Sequence, residues 1–150
     1  MHILFYLDQG CTLTKFEEWG TINRELAFLK ALCKSKYKIT IFSWACGEDK
    51  KFEKKIYPIR LIQNTKKIKA RLWVVPQLTK LLWRKKNTVL LTNQIFGAEW
   101  ALLSCKLTKT PMIARSGFPL SLNIKEEKGF FSFFYHYSKL VEFFVFKFAD

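Results

Sequence analysis

The stretch Thr88-Val89-Leu90-Leu91-Thr92-Asn93-Gln94-Ile95-Phe96-Gly97-Ala98-Glu99-Trp100-Ala101-Leu102-Leu103 decides the fold. Its first five residues are a short apolar, β-branched run, the signature of a buried strand. Asn93-Gln94 breaks that run, and Gly97 opens a segment with helical composition. After Lys109-Thr110 the chain turns apolar again at Pro111-Met112-Ile113-Ala114 and leaves through Arg115-Ser116-Gly117-Phe118-Pro119. The order is strand, helix, strand, with polar residues just past each strand's carboxyl end. Such a βαβ unit presents side chains at a crevice along one edge of a parallel sheet.

Upstream of this unit the same alternation recurs. His2-Ile3-Leu4-Phe5-Tyr6-Leu7 is apolar without alternation, as a central parallel strand covered on both faces should be. Asp8-Gln9-Gly10 stops it, and Gly10 to Gly20 reads as a loop. A helix follows, with Ile22, Leu26, Leu29, Ala31 and Leu32 roughly at helical spacing and Thr21 as its N-cap. Lys38-Ile39-Thr40-Ile41-Phe42-Ser43 reads as a second, alternating strand, the lysine-rich Cys46 to Tyr57 as a solvated connector, and Pro58 to Ile62 as a third strand. Lys66 to Lys86 is helical in period through Ile68, Leu72, Val75, Leu78, Leu81 and Leu82, with Pro76 as a kink or break. Its Lys66, Lys67, Lys69, Arg71, Lys80, Arg84, Lys85 and Lys86 form either a solvated face or an anion-facing patch.

Pro119 to Gly129 reads as a loop. Phe130 to Phe148 is a helix whose core stripe is expected to be Phe133, Phe134, Tyr137, Leu140, Val141, Phe144, Val145 and Phe148. Phe131, Tyr135, Phe143 and Phe146 fall off that stripe. A second apolar face suggests a partner surface, contact with a bilayer interface, or a helix wedged against a further domain. The last residues, Ala149-Asp150, arrive where a doubly wound domain would run on into another strand, so residues 1–150 are expected to be the first half of something longer. The fold class that follows is α/β, a Rossmann-like doubly wound mostly parallel sheet with helices on both faces.

At 150 residues the chain fits one domain, and 49% hydrophobic with 25% charged residues describes a folded rather than a disordered chain. The net charge of +14 implies attraction to something anionic: nucleic acid, phosphorylated small molecules or an anionic membrane face. Cys11, Cys33, Cys46 and Cys105 have no Cys-x-x-Cys spacing and no histidine pair nearby. They read as reduced thiols of a cytosolic protein, with no metal site. Met1 to Leu7 is too short for a secretory signal core, and no run of about 18 uncharged apolar residues exists to span a bilayer. A dinucleotide fingerprint fails as well, because Gly10 and Gly20 stand ten apart and the second strand ends in Ser43-Trp44 rather than in an acid. Nor is there a Gly-Lys-Ser/Thr phosphate loop.

Thr92-Asn93-Gln94 followed by Gly97-Ala98-x-Trp100, then Pro111-Met112-Ile113-Ala114-Arg115-Ser116-Gly117-Phe118, resembles the amino-terminal domain of GT-B fold glycosyltransferases of family 4. The closing helix, with Glu142 ahead of Ala149-Asp150, is similar to the same family. The resemblance spans essentially the whole chain, strongest over 88–118 and 140–150. It implies the acceptor-side half of a two-domain enzyme that moves a sugar from a nucleotide-sugar donor to a saccharide or lipid-linked acceptor. Retention of anomeric configuration, no metal, and no cofactor beyond the nucleotide-sugar co-substrate are implied with it. So is a donor-binding carboxyl-terminal domain outside residues 1–150.

The sequence departs from the family in two places. Paired glycines after the first strand are replaced by the separated Gly10 and Gly20. A histidine after the fifth strand is replaced by Arg115-Ser116-Gly117, so no catalytic role is carried onto any residue.

The cleft residues implied are Gly10, Trp19, Gly20, Thr21, Asn93, Gln94, Arg115 and Ser116. Gly20-Thr21, at a helix amino terminus, suits a donor diphosphate. Arg115 suits a phosphate or carboxylate, unless it pairs with Glu99 or Glu126. Asn93 and Gln94 suit sugar hydroxyls, unless they satisfy loop backbone. The setting implied is the cytoplasmic face of a membrane, with peripheral contact to anionic lipid. The alternative is a basic α/β module that binds nucleic acid without catalysis; against it, the lysines are dispersed and no aromatic platform lies on a strand.

Overall fold

The computed structural model describes residues 1–7, 9–64, 73–84, 87–117 and 120–149. Five strands form one sheet: β1 (His2–Tyr6), β2 (Lys38–Ser43), β3 (Arg60–Gln63), β4 (Thr88–Thr92) and β5 (Met112–Ile113). Their order is β3-β2-β1-β4-β5 and every pairing is parallel. β1 is central, which explains its unbroken apolar run: Leu4 and Tyr6 face one helical layer, Ile3 and Phe5 the other. This is a doubly wound, Rossmann-like α/β fold. β2 is also buried on both faces from Ile39 to Ser43, rather than on one alternating face.

On the first face lie α1 (Leu13–Glu18), α2 (Ile22–Lys34) and α3 (Glu53–Ile56), the last preceded by a 3₁₀ turn at Glu48–Phe52. Phe16, Leu26, Leu29, Phe52 and Ile56 close over Ile3, Phe5, Ile39 and Ile41. The other face is covered by α4 (Val74–Trp83), α5 (Ala98–Thr108) and α7 (Phe133–Phe148). There Val74, Leu78, Ala101, Cys105, Val141 and Val145 pack on Leu4, Tyr6, Phe42 and Leu90. A further helix, α6 (Leu120–Lys128), packs against α7.

Several expectations from sequence are corrected. The Gly10–Gly20 loop holds α1, and the lysine-rich connector holds the 3₁₀ turn and α3. One buried carboxylate explains both. Asp49 is fully buried and accepts from the backbone N–H of Leu13 at 2.9 Å and Thr14 at 3.0 Å, the Thr14 hydroxyl at 3.0 Å and the Ser43 hydroxyl at 2.5 Å. It satisfies the orphan donors at the start of α1 and ties them to the end of β2. Thr12 adds a second cap, accepting from Lys15 N–H at 3.1 Å.

The Pro119–Gly129 loop is mostly α6, anchored where Ser121 donates its N–H and hydroxyl to the two carboxylate oxygens of Glu142 on α7, at 2.9 and 2.6 Å. The stripe on α7 is rotated: Tyr135, Ser138, Val141 and Val145 are buried, whereas Phe133, Phe134, Leu140, Phe144 and Phe148 are exposed. With phenylalanine on every side, neighbours rather than period orient this helix. α5 takes Val141 and Val145, and α6 takes Glu142.

Pro76 lies in the first turn of α4, where no intrahelical acceptor is lost, so it neither kinks nor breaks the described helix. Of the basic residues around it, Lys80 and Arg84 are exposed, and the remainder (66, 67, 69, 71, 85 and 86) lie outside the described residues.

Replacing Asp49 by alanine strands four donors in a dry site, so D49A is expected to lose about 3 kcal/mol or more of stability. Urea unfolding followed by circular dichroism measures it. A loss near zero would mean that α1 does not depend on this carboxylate.

Candidate functional site at the carboxyl rim of the sheet

Adjacent strands β1 and β4 send their following helices to opposite faces, α1 and α2 to one and α5 to the other. In open parallel sheets ligands bind at this reversal, outside the strand carboxyl ends. Here the two loops are laced together. Gln9 N–H donates to Phe96 O at 3.1 Å, Asn93 N–H to Tyr6 O at 2.9 Å, and the Tyr6 hydroxyl to Gly97 O at 3.1 Å. Gly97 has φ +81°, and a Cβ placed on it would sit 2.6 Å from Gln9 Cβ. Only glycine meets both demands. The sequence showed Gly97 as the start of a helix; the approach to Gln9, 88 positions earlier, has no local signal.

Several polar groups in the segments that flank this contact have no partner among the described residues. Asn93 is 6% exposed, and its side chain has no hydrogen bond among the described residues. Gln9 Oε1, Glu99 Oε2 and Trp100 Nε1 are buried atoms likewise without a partner among the described residues. Glu99 and Trp100 belong to the first turn of α5, and Glu99 Oε1 accepts from the Tyr137 hydroxyl of α7 at 2.9 Å. Two acceptors, one indole donor and an amide therefore cluster in sequence about the two loops of the reversal.

The predicted residues fall into separate groups. Gln94 Oε1 accepts from Gly117 N–H at 3.0 Å, joining the loops after β4 and β5. Arg115 donates from its N–H to Thr92 Oγ1 at 3.0 Å and from its guanidinium to Glu25 Oε2 at 3.1 Å, with its Cζ 5.1 Å from the Phe28 ring centroid. Its carboxylate partner is thus Glu25 of α2, not Glu99 or Glu126. Glu25 N–H donates to Thr21 O at 3.3 Å, so Arg115 reaches one turn beyond the 19–21 turn.

That turn itself is engaged. Gly20 N–H donates to Glu17 O at 3.0 Å and Thr21 N–H to Phe16 O at 2.9 Å, closing α1 rather than facing an anion. Thr21 makes no side-chain capping bond. Trp19 is exposed, tilted against Phe16 at 5.9 Å between centroids. Gly10 (φ +77°) is exposed with open space around it, and Ser116 is half-buried.

Two clefts among the described residues lie away from this rim. One of about 430 Å³ sits at the amino end of β4 and β5, lined by Trp83, Asn87, Thr88 and Pro111 among others. The second, about 480 Å³, runs between α4 and α5 beside Pro76 and Trp83. Among the described residues no three His, Cys, Asp or Glu gather as a metal site, and the four cysteines form no disulfide with one another. Burial pushes the Cys33 thiol above its usual value. No helix among the described residues is long and apolar enough to cross a membrane. The sequence matches no protein-family model, no curated protein and no solved structure.

Two outcomes follow from this geometry. G97A combines a strained φ with a collision against Gln9, and should cost about 2 kcal/mol, only partly recovered in the Q9G/G97A pair. A double-mutant cycle of R115M with E25Q should give a coupling of about 1 kcal/mol, held down because Arg115 is partly exposed and Arg24 also bonds Glu25, at 3.2 Å. Thermal unfolding of the set checks both.

Proposed function

We propose that this chain is the acceptor-side half of a GT-B glycosyltransferase of the family 4 type. It would transfer a sugar from a nucleotide-sugar to a saccharide or lipid-linked acceptor, with retention and without a metal. The supporting observation is the reversal where β1 and β4 diverge on a parallel sheet of order β3-β2-β1-β4-β5, with the amide of Asn93 beside it and single atoms of Gln9, Glu99 and Trp100 in the flanking segments without a partner among the described residues. Asn93 is the residue assigned to acceptor hydroxyls, since its amide can donate and accept. Gln94 holds the Gly117 backbone and so fixes the loop after β5 against the loop after β4. Arg115, held by Glu25, keeps part of its guanidinium surface exposed and lends the rim a positive edge. The engaged N–H groups of Gly20 and Thr21 shift the expected donor contact to the first turn of α2 beyond them. The enzyme is read as cytoplasmic and peripheral to a membrane.

The test uses the full-length protein with a panel of uridine-, guanosine- and adenosine-diphosphate sugars, following release of the nucleoside diphosphate. Turnover with one donor is expected. N93A should raise the acceptor KM about tenfold, the size of one lost hydrogen bond, with donor affinity unchanged. Absence of nucleotide-sugar binding, together with RNA binding that falls steeply with salt, would instead favour the nucleic-acid module.

A further inference from the structure

Helix α7 buries Tyr135, Ser138, Val141 and Val145 and turns its opposite side outward. That side carries Phe133 (77% exposed), Leu140, Phe143 (57%) and Phe146 (55%), interleaved with exposed Lys139 and Lys147. Lys147 Nζ stands 5.1 Å from the Phe143 ring centroid. The only acid in the helix is Glu142, and both its oxygens are bonded to Ser121. The outward face is therefore aromatic and cationic with no negative charge of its own.

From this arrangement we infer that the outward face of α7 docks on the surface of an anionic phospholipid leaflet, the helix axis lying in the membrane plane. Lysines among exposed rings distinguish this occupant from a protein partner, because the cores of protein interfaces are depleted in lysine. At a bilayer the same lysines reach lipid phosphates while their stems and the rings enter the acyl boundary. The net charge of +14 on the whole chain acts in the same direction. Sixteen residues make a helix about 24 Å long, and Lys139, Glu142 and Lys147 divide it, so it lies on the surface rather than crossing. The docking is read from α7 alone; only the assignment of the leaflet as cytoplasmic rests on the proposed function.

The test is co-sedimentation of the protein with vesicles of phosphatidylcholine alone or mixed equally with phosphatidylglycerol, without any nucleotide-sugar. Binding to the mixed vesicles and not to the neutral ones is expected, weakening as salt rises. F143S/F146S should raise the apparent Kd about a hundredfold, and K139E/K147E should abolish the preference for phosphatidylglycerol. Both variants change exposed residues, and far-UV circular dichroism verifies that they fold. No binding to the mixed vesicles would overturn the inference, as would unchanged affinity in F143S/F146S. A dimer dissolved by F143S/F146S without vesicle binding would assign the face to a second copy, and RNA binding without vesicle binding would assign the charge elsewhere; both also overturn it. Vesicle binding with no sugar transfer would leave the docking standing and remove only the proposed function.

Discussion

A single carboxylate carries much of the first helical layer. Asp49, at the tip of the turn after β2, closes four hydrogen bonds in a site without solvent. It holds the first turn of α1 against the end of β2, and Gln63 of β3 fixes it in turn by accepting from the Asp49 and Gly47 N–H groups at 3.1 and 2.9 Å. A helix of six residues is too short to persist on propensity alone. With the carboxylate in place, α1 forms, its carboxyl end takes the Gly20 and Thr21 N–H groups, and α2 starts where Glu25 can meet Arg115. Three strands are thereby coupled to the rim through side chains rather than through the sheet ladder.

How much of this was legible in the sequence depended on whether the cause was local. The unbroken apolar run of β1 and the run at 88–92 reveal two-sided burial directly, because the covering helices demand it. Asp49 stood in a lysine-rich stretch and looked solvated; its partners are 35 and 36 positions away at Thr14 and Leu13, and no spacing rule joins them. The segment after Pro119 has weak amphipathicity, so α6 is visible only through Ser121 and its clasp on Glu142. On α7 the surplus of phenylalanine defeated the period, since every helical face could have been the inner one.

At the rim the polar residues were visible but their engagements were not. Gln94 looked like a ligand contact and is bonded to the Gly117 backbone; Gly20 and Thr21 looked like an anion cradle and serve the end of α1. Gln9, Glu99 and Trp100 were not taken as rim residues, although each has a buried polar atom with no partner among the described residues, as Thr79 on α4 also does. A polar residue beside a break in an apolar run signals a position, and only packing decides whether its hydrogen bonds are spent.

The phenol of Tyr137 spans the two helices α7 and α5, ending on the carboxylate of Glu99. The aromatic helix is therefore not an appendage: sliding it along its axis by a single turn, about 5 Å, would pull that hydroxyl away and deprive Glu99, in the first turn of α5, of the hydrogen bond that α7 supplies. A load on the outer flank of the molecule would thus be met by a single phenol–carboxylate bond at the start of α5.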